Sequence, residues 1–233
     1  GTSISFGSEV VFQSVYASME TIAYDSTNDK VVISYKNEST NTASAIVGTV
    51  SGTSITSGTR AVQDSNQPDP RDSLATFDSS NNKVIFAYSQ DSNVDGYAQV
   101  CTVDPSDNSI TFGTPVLFNG SNNTTFVCPT FDSNINKVVI SYQDNANSSY
   151  LTVIVGTVSG TSISFGSEVV LESSGTPHGR IAFGSGVQRS LSVFRREASS
   201  PYIGRAVVVQ SSTFTTNLTS KNYIGIAADT YAD

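Results

Sequence analysis

Short stretches of alternating apolar and polar residues follow one another along nearly the whole chain, divided by clusters of Ser, Asn, Asp and Gly. Alternation with period two is what a strand with one buried face produces. No segment of ten or more residues carries the apolar spacing of a helix. Four kinds of strand recur in fixed order. Type d is SISFGSEVVF, Ser3 to Phe12, with partners Ser54 to Gln63, Ser109 to Phe118 and Ser162 to Leu171, each alternating around a step that contains Gly. A variable linker leads to type a, a short apolar strand ending in Asp: TIAYD to Asp25, LATFD to Asp78, CPTFD to Asp132, and RIAFG, where Gly184 replaces the Asp. A tight turn leads to type b: KVVISY from Lys30, KVIFAY from Lys83, KVVISY from Lys137 and RSLSVF from Arg189. A polar loop then leads to type c: SAIVGTV to Val50, AQVCTV to Val103, TVIVGTV to Val158 and GRAVVVQ to Gln210. The c–d turn is SG in two copies and DPSDN in another, which fits hairpin connections.

The pattern is a true repeat. GTSISFGSEVV, Gly1 to Val11, returns unchanged at Gly160 to Val170, and IVGTVSGTSI, Ile46 to Ile55, returns at Ile154 to Ile163. The period is about 53 residues. Four short strands joined by short turns make an antiparallel meander, which cannot cover both of its faces alone, so repetition must supply the partners. Radial packing of such meanders is a β-propeller, and the period sits near that of known propeller blades. The expected fold is therefore an all-β propeller of four-stranded antiparallel blades over residues 1–210, with a degenerate last strand and an extension over 211–233. A β-solenoid has shorter rungs, and a β-sandwich does not explain identity at this period.

Two closures compete. In the favoured one, residues 1–12 pair with the last c strand and seal a four-bladed ring. In the other, Ser211 to Leu218 completes the last blade and the first d strand is the remnant of a preceding blade, which implies excision from a longer array or assembly into a larger ring. No segment reads as a signal peptide, and a first residue of Gly suits a processed or excised piece.

Composition narrows the partners. Net charge is −8 and the sequence pI about 4.5, which argues against nucleic acid and anionic membranes. No apolar run approaches the length of a spanning helix. The two cysteines, Cys101 and Cys128, exclude a disulfide-dense scaffold and a Cys-based zinc site. They pair if neighbouring strands bring them together and are otherwise two buried thiols.

VGTVSGTSISFGSEVV and AYDSTNDKVVISY resemble repeats in long virion and tail-fibre-like proteins of marine bacteriophages and in related metagenomic proteins. LTSKNYIGIAADTYAD, from Leu218, looks like a segment that follows such repeats. The resemblance covers nearly all of the chain, but its motifs are structural and carry over no catalytic residue. It implies a virion or extracellular surface setting and a binding role.

The repeated Asp25, Asp78 and Asp132 invite a calcium or catalytic reading. The plainer one is that an Asp before Ser and Asn accepts backbone N–H bonds and pins the hairpin. In a propeller the d–a linkers and b–c loops share the face at the channel mouth, where function usually resides. The fourth copy places His178, the only histidine, and Arg180 on that linker, and Arg195 and Arg196 on the b–c loop; Arg71 lies on the second copy's linker. Guanidinium forks suit the carboxylate or sulfate of a sugar. Alternatively these arginines belong to a degenerate terminal blade and pair with neighbouring acids. Tyr97, Tyr150 and Tyr202, just before strand c, could stack on sugar rings once per blade or pack the rim. His178, Arg180, Tyr150 and Tyr202 could equip a polysaccharide lyase, and Glu20, Asp69, Asp72 and Glu197 a glycosidase. No hydrolase, metalloprotease or phosphate-loop motif is present. The reading is a binding or structural module that recognises carbohydrate, such as a host-surface glycan, without cofactor or metal, as a monomer or within an assembly that completes a larger ring. A single-site lyase or glycosidase and a purely architectural spacer are the alternatives.

Overall fold

The computed structural model describes residues 2–63, 70–90, 94–120, 124–175, 178–196 and 202–211, and among these every regular element is a β-strand. The strands form four antiparallel sheets in chain order. The first holds β1 (Ala17–Asp25), β2 (Lys30–Asn37), β3 (Thr42–Ser51), β4 (Ser54–Ser57) and β5 (Ala61–Val62). The second holds β6 (Pro70–Asp78), β7 (Lys83–Gln90), β8 (Gly96–Asp104), β9 (Ser109–Phe112) and β10 (Val116–Asn119). The third holds β11 (Thr124–Asp132), β12 (Lys137–Asp144), β13 (Tyr150–Ser159), β14 (Ser162–Phe165) and β15 (Val169–Glu172). The fourth has three strands, β16 (Arg180–Gly184), β17 (Arg189–Arg196) and β18 (Ile203–Val209). The a–b–c meander of the sequence is thus present four times, in the expected order.

The a–b hairpins show how the sequence fixes them. Asp78, buried, accepts bonds at Oδ1 from Ser80 N (2.9 Å), Ser80 Oγ (2.6 Å) and Asn81 N (3.1 Å), and at Oδ2 from Asn81 Nδ2 (2.8 Å). Asp25 repeats the arrangement with Thr27 N and Asn28 N, both at 3.0 Å, and Asn28 Nδ2 at 2.7 Å. Asp132 accepts from Asn134 N at 3.0 Å. The residue before strand b is left-handed in every copy: Asp29, Asn82, Asn136 and Gln188, with φ of 55°, 54°, 53° and 52°. Asn and Asp tolerate that region best. The repeated Asp is a hairpin pin.

Type d departs from the single expected strand. It breaks at its Gly into two short strands, and both pair with the same c strand: β4 and β5 with β3, β9 and β10 with β8, β14 and β15 with β13. At the break the Gly amide donates across the sheet, Gly58 to Val47 O and Gly113 to Val100 O, each at 2.8 Å. Here the outer strand crosses the c–d turn of the next sheet. A Cβ on Gly58 would lie 2.2 Å from Asn108 O, and one on Gly113 2.0 Å from Thr161 O. Only glycine permits that approach.

Three apolar layers lie between successive sheets. Val32 and Val47 meet Val84 and Phe86 between the first and second; Ile85 and Val100 meet Val138 and Ile140 between the second and third. Cys128, Val139 and Val153 meet Ile181 between the third and fourth. The last layer is the poorest, because Ser190 and Ser192 occupy the β17 positions that Val138 and Ile140 fill in β12. Cys101 sits in the first of these layers and Cys128 in the last, so both are free buried thiols.

The favoured closure is not formed. Residues 2–12 enter no strand ladder, and β18 pairs only with β17 among the described residues. Ile4 is 96% exposed, whereas the matching Ile110 and Ile163 are 4% and 3%, and Phe6 is 91% exposed where Phe112 and Phe165 are half-buried. β1 packs on β6, β6 on β11 and β11 on β16, but β16 and β1 make no such pairing. The three steps are set by apolar layers, and among the described residues no layer joins the fourth sheet to the first. The tail from 212 onward lies outside the described residues.

Candidate functional site

The a strands of the first three sheets run in regular register from the hairpin and then slip. In the first sheet Thr21 opposes Ser34 and Ser18 opposes Lys36, so Met19 and Glu20 together face the single residue Tyr35. The second sheet slips between Arg71 and Leu74, opposite Tyr88, and the third between Thr125 and Cys128, opposite Tyr142. Such β-bulges redirect side chains and collect at functional sites. The first bulge residue is left-handed without being glycine: Met19 at φ 56° and Phe126 at 54°. His178, at φ 69°, holds the same place in the fourth copy, two residues ahead of Arg180. Non-glycine residues in this region cost roughly 1–3 kcal/mol each and persist where the surroundings hold them.

The bulges converge. Met19, Glu20, Ser73, Leu74, Val127 and Arg180, drawn from the a strands of all four sheets, line one cavity of about 160 Å³. Beside it the rings of Phe126 and His178 lie 4.3 Å apart, centroid to centroid, tilted by 51°. His178 and Arg180 are exposed, and the Arg180 guanidinium is steadied by Gly179 O at 2.9 Å.

The d–a linkers and b–c loops meet at this end, as the strand order requires. Glu38 N donates to Tyr16 O at 3.1 Å, and Ser18 Oγ donates to the Glu38 carboxylate, which also pairs with Lys36 Nζ at 3.2 Å. Thr124 N donates to Val94 O of the preceding sheet's loop at 2.6 Å. Asn145 Nδ2 donates to Thr125 Oγ1 at 3.0 Å.

The structure separates the arginines that the sequence groups together. Arg180 reaches the cavity. Arg195 and Arg196 are consecutive on β17 and so point to opposite faces. Arg196 Nε donates to Ser174 Oγ at 3.0 Å, while the Arg195 guanidinium lies 5.2 Å from the Tyr202 ring centroid. Arg71 belongs to β6, but its side chain and that of Asp72 lie outside the described residues, as do Asp69 and Glu197.

The three tyrosines are not equivalent. Tyr97 faces Tyr88 within the second sheet, its ring stacked at 6.0 Å, and burial pushes its hydroxyl pKa up, with Asp95 adding to the shift. Tyr150 is the first residue of β13, paired with Asp144, and Tyr202 lies just before β18. Register therefore places them at three different depths, not once per sheet in one position. The buried tyrosine that does recur is on strand b: Tyr35, Tyr88 and Tyr142.

Met19 and Phe126 escape a reading of the sequence by motif. One signal was present: the residue six before the hairpin position is Met19, Asp72, Phe126 or His178, a change of chemical type at one place in an otherwise repetitive strand. Chemically, the arrangement offers a guanidinium and a carboxylate lining one small opening, and an aromatic pair close along the chain to two of its lining residues, Val127 and Arg180. Glu20 is the one carboxylate lining that cavity, and among the described residues no cluster of three or more His, Cys, Asp or Glu side chains could hold a metal ion. Compared with known proteins, the chain matches no family model and no curated protein.

Proposed function

We propose that the chain is a β-propeller module, its four sheets being blades, that binds carbohydrate where the bulged a strands converge, in a virion or other surface setting. The observation that carries this reading is the Phe126–His178 pair beside the cavity that holds Glu20 and Arg180. An aromatic face stacks on the apolar face of a sugar ring, a guanidinium holds a carboxylate or sulfate in bidentate fashion, and a carboxylate accepts from hydroxyls. Retained backbone strain at Met19, Phe126 and His178 supports a site, since strain of this kind collects where function needs it. The acidic net charge suits a mostly neutral glycan with sparse anionic groups.

The test is isothermal titration of the purified chain with neutral, uronate-bearing and sulfated polysaccharides, with reducing and unsaturated ends followed in parallel. Binding without new ends is expected. His178→Ala and Phe126→Ala should each weaken it about tenfold, equivalent to about 1.4 kcal/mol. Binding that survives both substitutions would move the site elsewhere. New ends would make the chain an enzyme, and silence in every channel would leave an architectural spacer.

A further inference from the structure

Residues 2–12 sit on the first sheet as the outer strands of the first and second sheets sit on the sheet that follows each. A Cβ on Gly7 would lie 1.8 Å from Thr53 O, matching Gly58 over Asn108 and Gly113 over Thr161. Phe12 lies on Tyr35 with ring centroids 5.3 Å apart at 59°, and Phe118 lies on Tyr142 at 5.1 Å and 56°. The segment therefore occupies the place of a preceding sheet's d strand, without that sheet.

The fourth sheet is the counterpart. Among the described residues it has a, b and c strands but no d strand, and no strand pairs with the outer edge of β18. Its outward face shows Leu191, Val193 and Val208, with an apolar hollow of about 410 Å³ lined by Leu191, Val208, Phe183 and Val187. On the first sheet, Ile22 and Tyr24 are exposed, while Ala75 and Phe77 at the same places in the second sheet pack against its neighbour. One end thus presents an outer strand and an apolar face, and the other lacks that strand and presents an apolar face of its own.

We propose that a second copy of this chain docks here: residues 2–12 of one copy add to the β18 edge of another, and the two apolar end faces close on each other. The interface continues the sheet-to-sheet step already made three times within the chain. Sequence fixes the register. Residues 160–170 are identical to 1–11, and in the third sheet Phe165 pairs with Gly156 and Val169 with Val153. Carried to the fourth sheet through the β17–β18 ladder, Phe6 comes opposite Val209 and Val10 opposite Ala206. Adding a strand satisfies an open edge with main-chain bonds, as in other β-augmented complexes. The contact joins unlike surfaces, so it propagates until a ring closes or a fibre grows.

Two single variants of the full chain, Val10→Cys and Ala206→Cys, are mixed and oxidised, and the double variant is oxidised alone. A disulfide-linked dimer from the mixture, and a ladder of multimers from the double variant, is the expected result. A fast-migrating monomer from the double variant, with no dimer from the mixture, would overturn the proposal in favour of closure within one chain. No cross-link in either would overturn it outright. Light scattering on the unmodified chain serves as a second measurement independent of the variants. The mass should rise with concentration and fall towards one chain when a peptide of residues 1–13 is added in excess; a constant single-chain mass would also overturn the proposal.

Discussion

The ring of Phe12 packs on Tyr35 in the geometry that Phe118 adopts on Tyr142, with centroids 5.3 and 5.1 Å apart, although Phe12 belongs to no strand ladder. Phe118 is buried and tied into the second sheet, so Phe118→Ala removes a core aromatic and should cost about 3 kcal/mol. Phe12 is half-buried on a segment anchored along one flank, so Phe12→Ala should cost about 1 kcal/mol. Urea unfolding of both variants checks the ranking. Equal losses would mean that residues 2–12 are as firmly integrated as an internal d strand.

The glycines of FGTP and FGSE look interchangeable in the sequence but are not in the structure. At Gly113 a Cβ would meet Thr161 O at 2.0 Å, so Gly113→Ala must push two sheets apart and should cost about 2 kcal/mol. At Gly166 the nearest atom would be Val155 O at 3.8 Å, and φ is not positive. Gly166→Ala should be neutral or stabilise by about 0.5 kcal/mol through the unfolded chain. Comparing the two melting temperatures tests the claim, and similar losses in both would refute the close approach as the cause.

Met19 sits in the left-handed region with its side chain partly exposed, so the bulge there is held at a conformational cost. Met19→Gly should stabilise the fold by about 1 kcal/mol, because glycine adopts positive φ freely. A destabilised variant would instead show that the Met19 side chain contributes more to the cavity wall than the backbone strain removes.

The strands, their order and the hairpins were legible because each rests on local chemistry: alternation in KVVISY, the Asp–Ser–Asn pin at Asp78, left-handed Asn82 before Lys83. The repeat itself is written in identity. The bulges were not legible, because a two-against-one register depends on the partner strand, and Met19 and Phe126 carry none of the usual residues for positive φ. The arginines misled for a related reason. Proximity in sequence grouped Arg195 with Arg196, and strand pleating divides them. Ring closure was the natural inference from identical d strands. It failed because residues 2–12 lie over the first sheet and do not reach the β18 edge, and nothing in a repeat states where its ends go.

The hairpin pins predict unequal tolerance. Asp78→Ala removes a buried carboxylate that accepts from Ser80 N and Asn81 N of the exposed turn and should cost about 2 kcal/mol, the worth of hydrogen bonds to a charged group, with Asp25→Ala close behind. Gly184→Asp restores the pin in the fourth copy, where Val187 N already donates to Gly184 O at 3.2 Å. It should cost little, under about 0.5 kcal/mol. Thermal unfolding of the three variants is the check; a large loss from Gly184→Asp would mean that the fourth turn depends on its own geometry and cannot accept the repeat's.

Alkali offers a test of one buried hydroxyl. Tyr142 is buried between the second and third sheets, and its Oη donates to Glu168 Oε2 at 2.8 Å. Burial first, and then that bond and the charge of Glu168, push its pKa far above the ordinary value of 10.0. Below pH 10 the hydroxyl is protonated in both states and its contribution to stability is complete. As pH rises past 10 the unfolded chain releases the proton and the folded chain keeps it, so stability falls by up to about 1.4 kcal/mol per pH unit from this group. Tyr142→Phe removes that dependence along with the bond to Glu168. The variant should be less stable near neutrality by about 1 kcal/mol, the ordinary worth of such a bond, and the two stability curves should converge as pH climbs above 10. Urea midpoints taken across that range decide the matter. Parallel curves would mean that Tyr142 ionises as readily folded as unfolded, and that the packing of the second sheet on the third admits water to its hydroxyl.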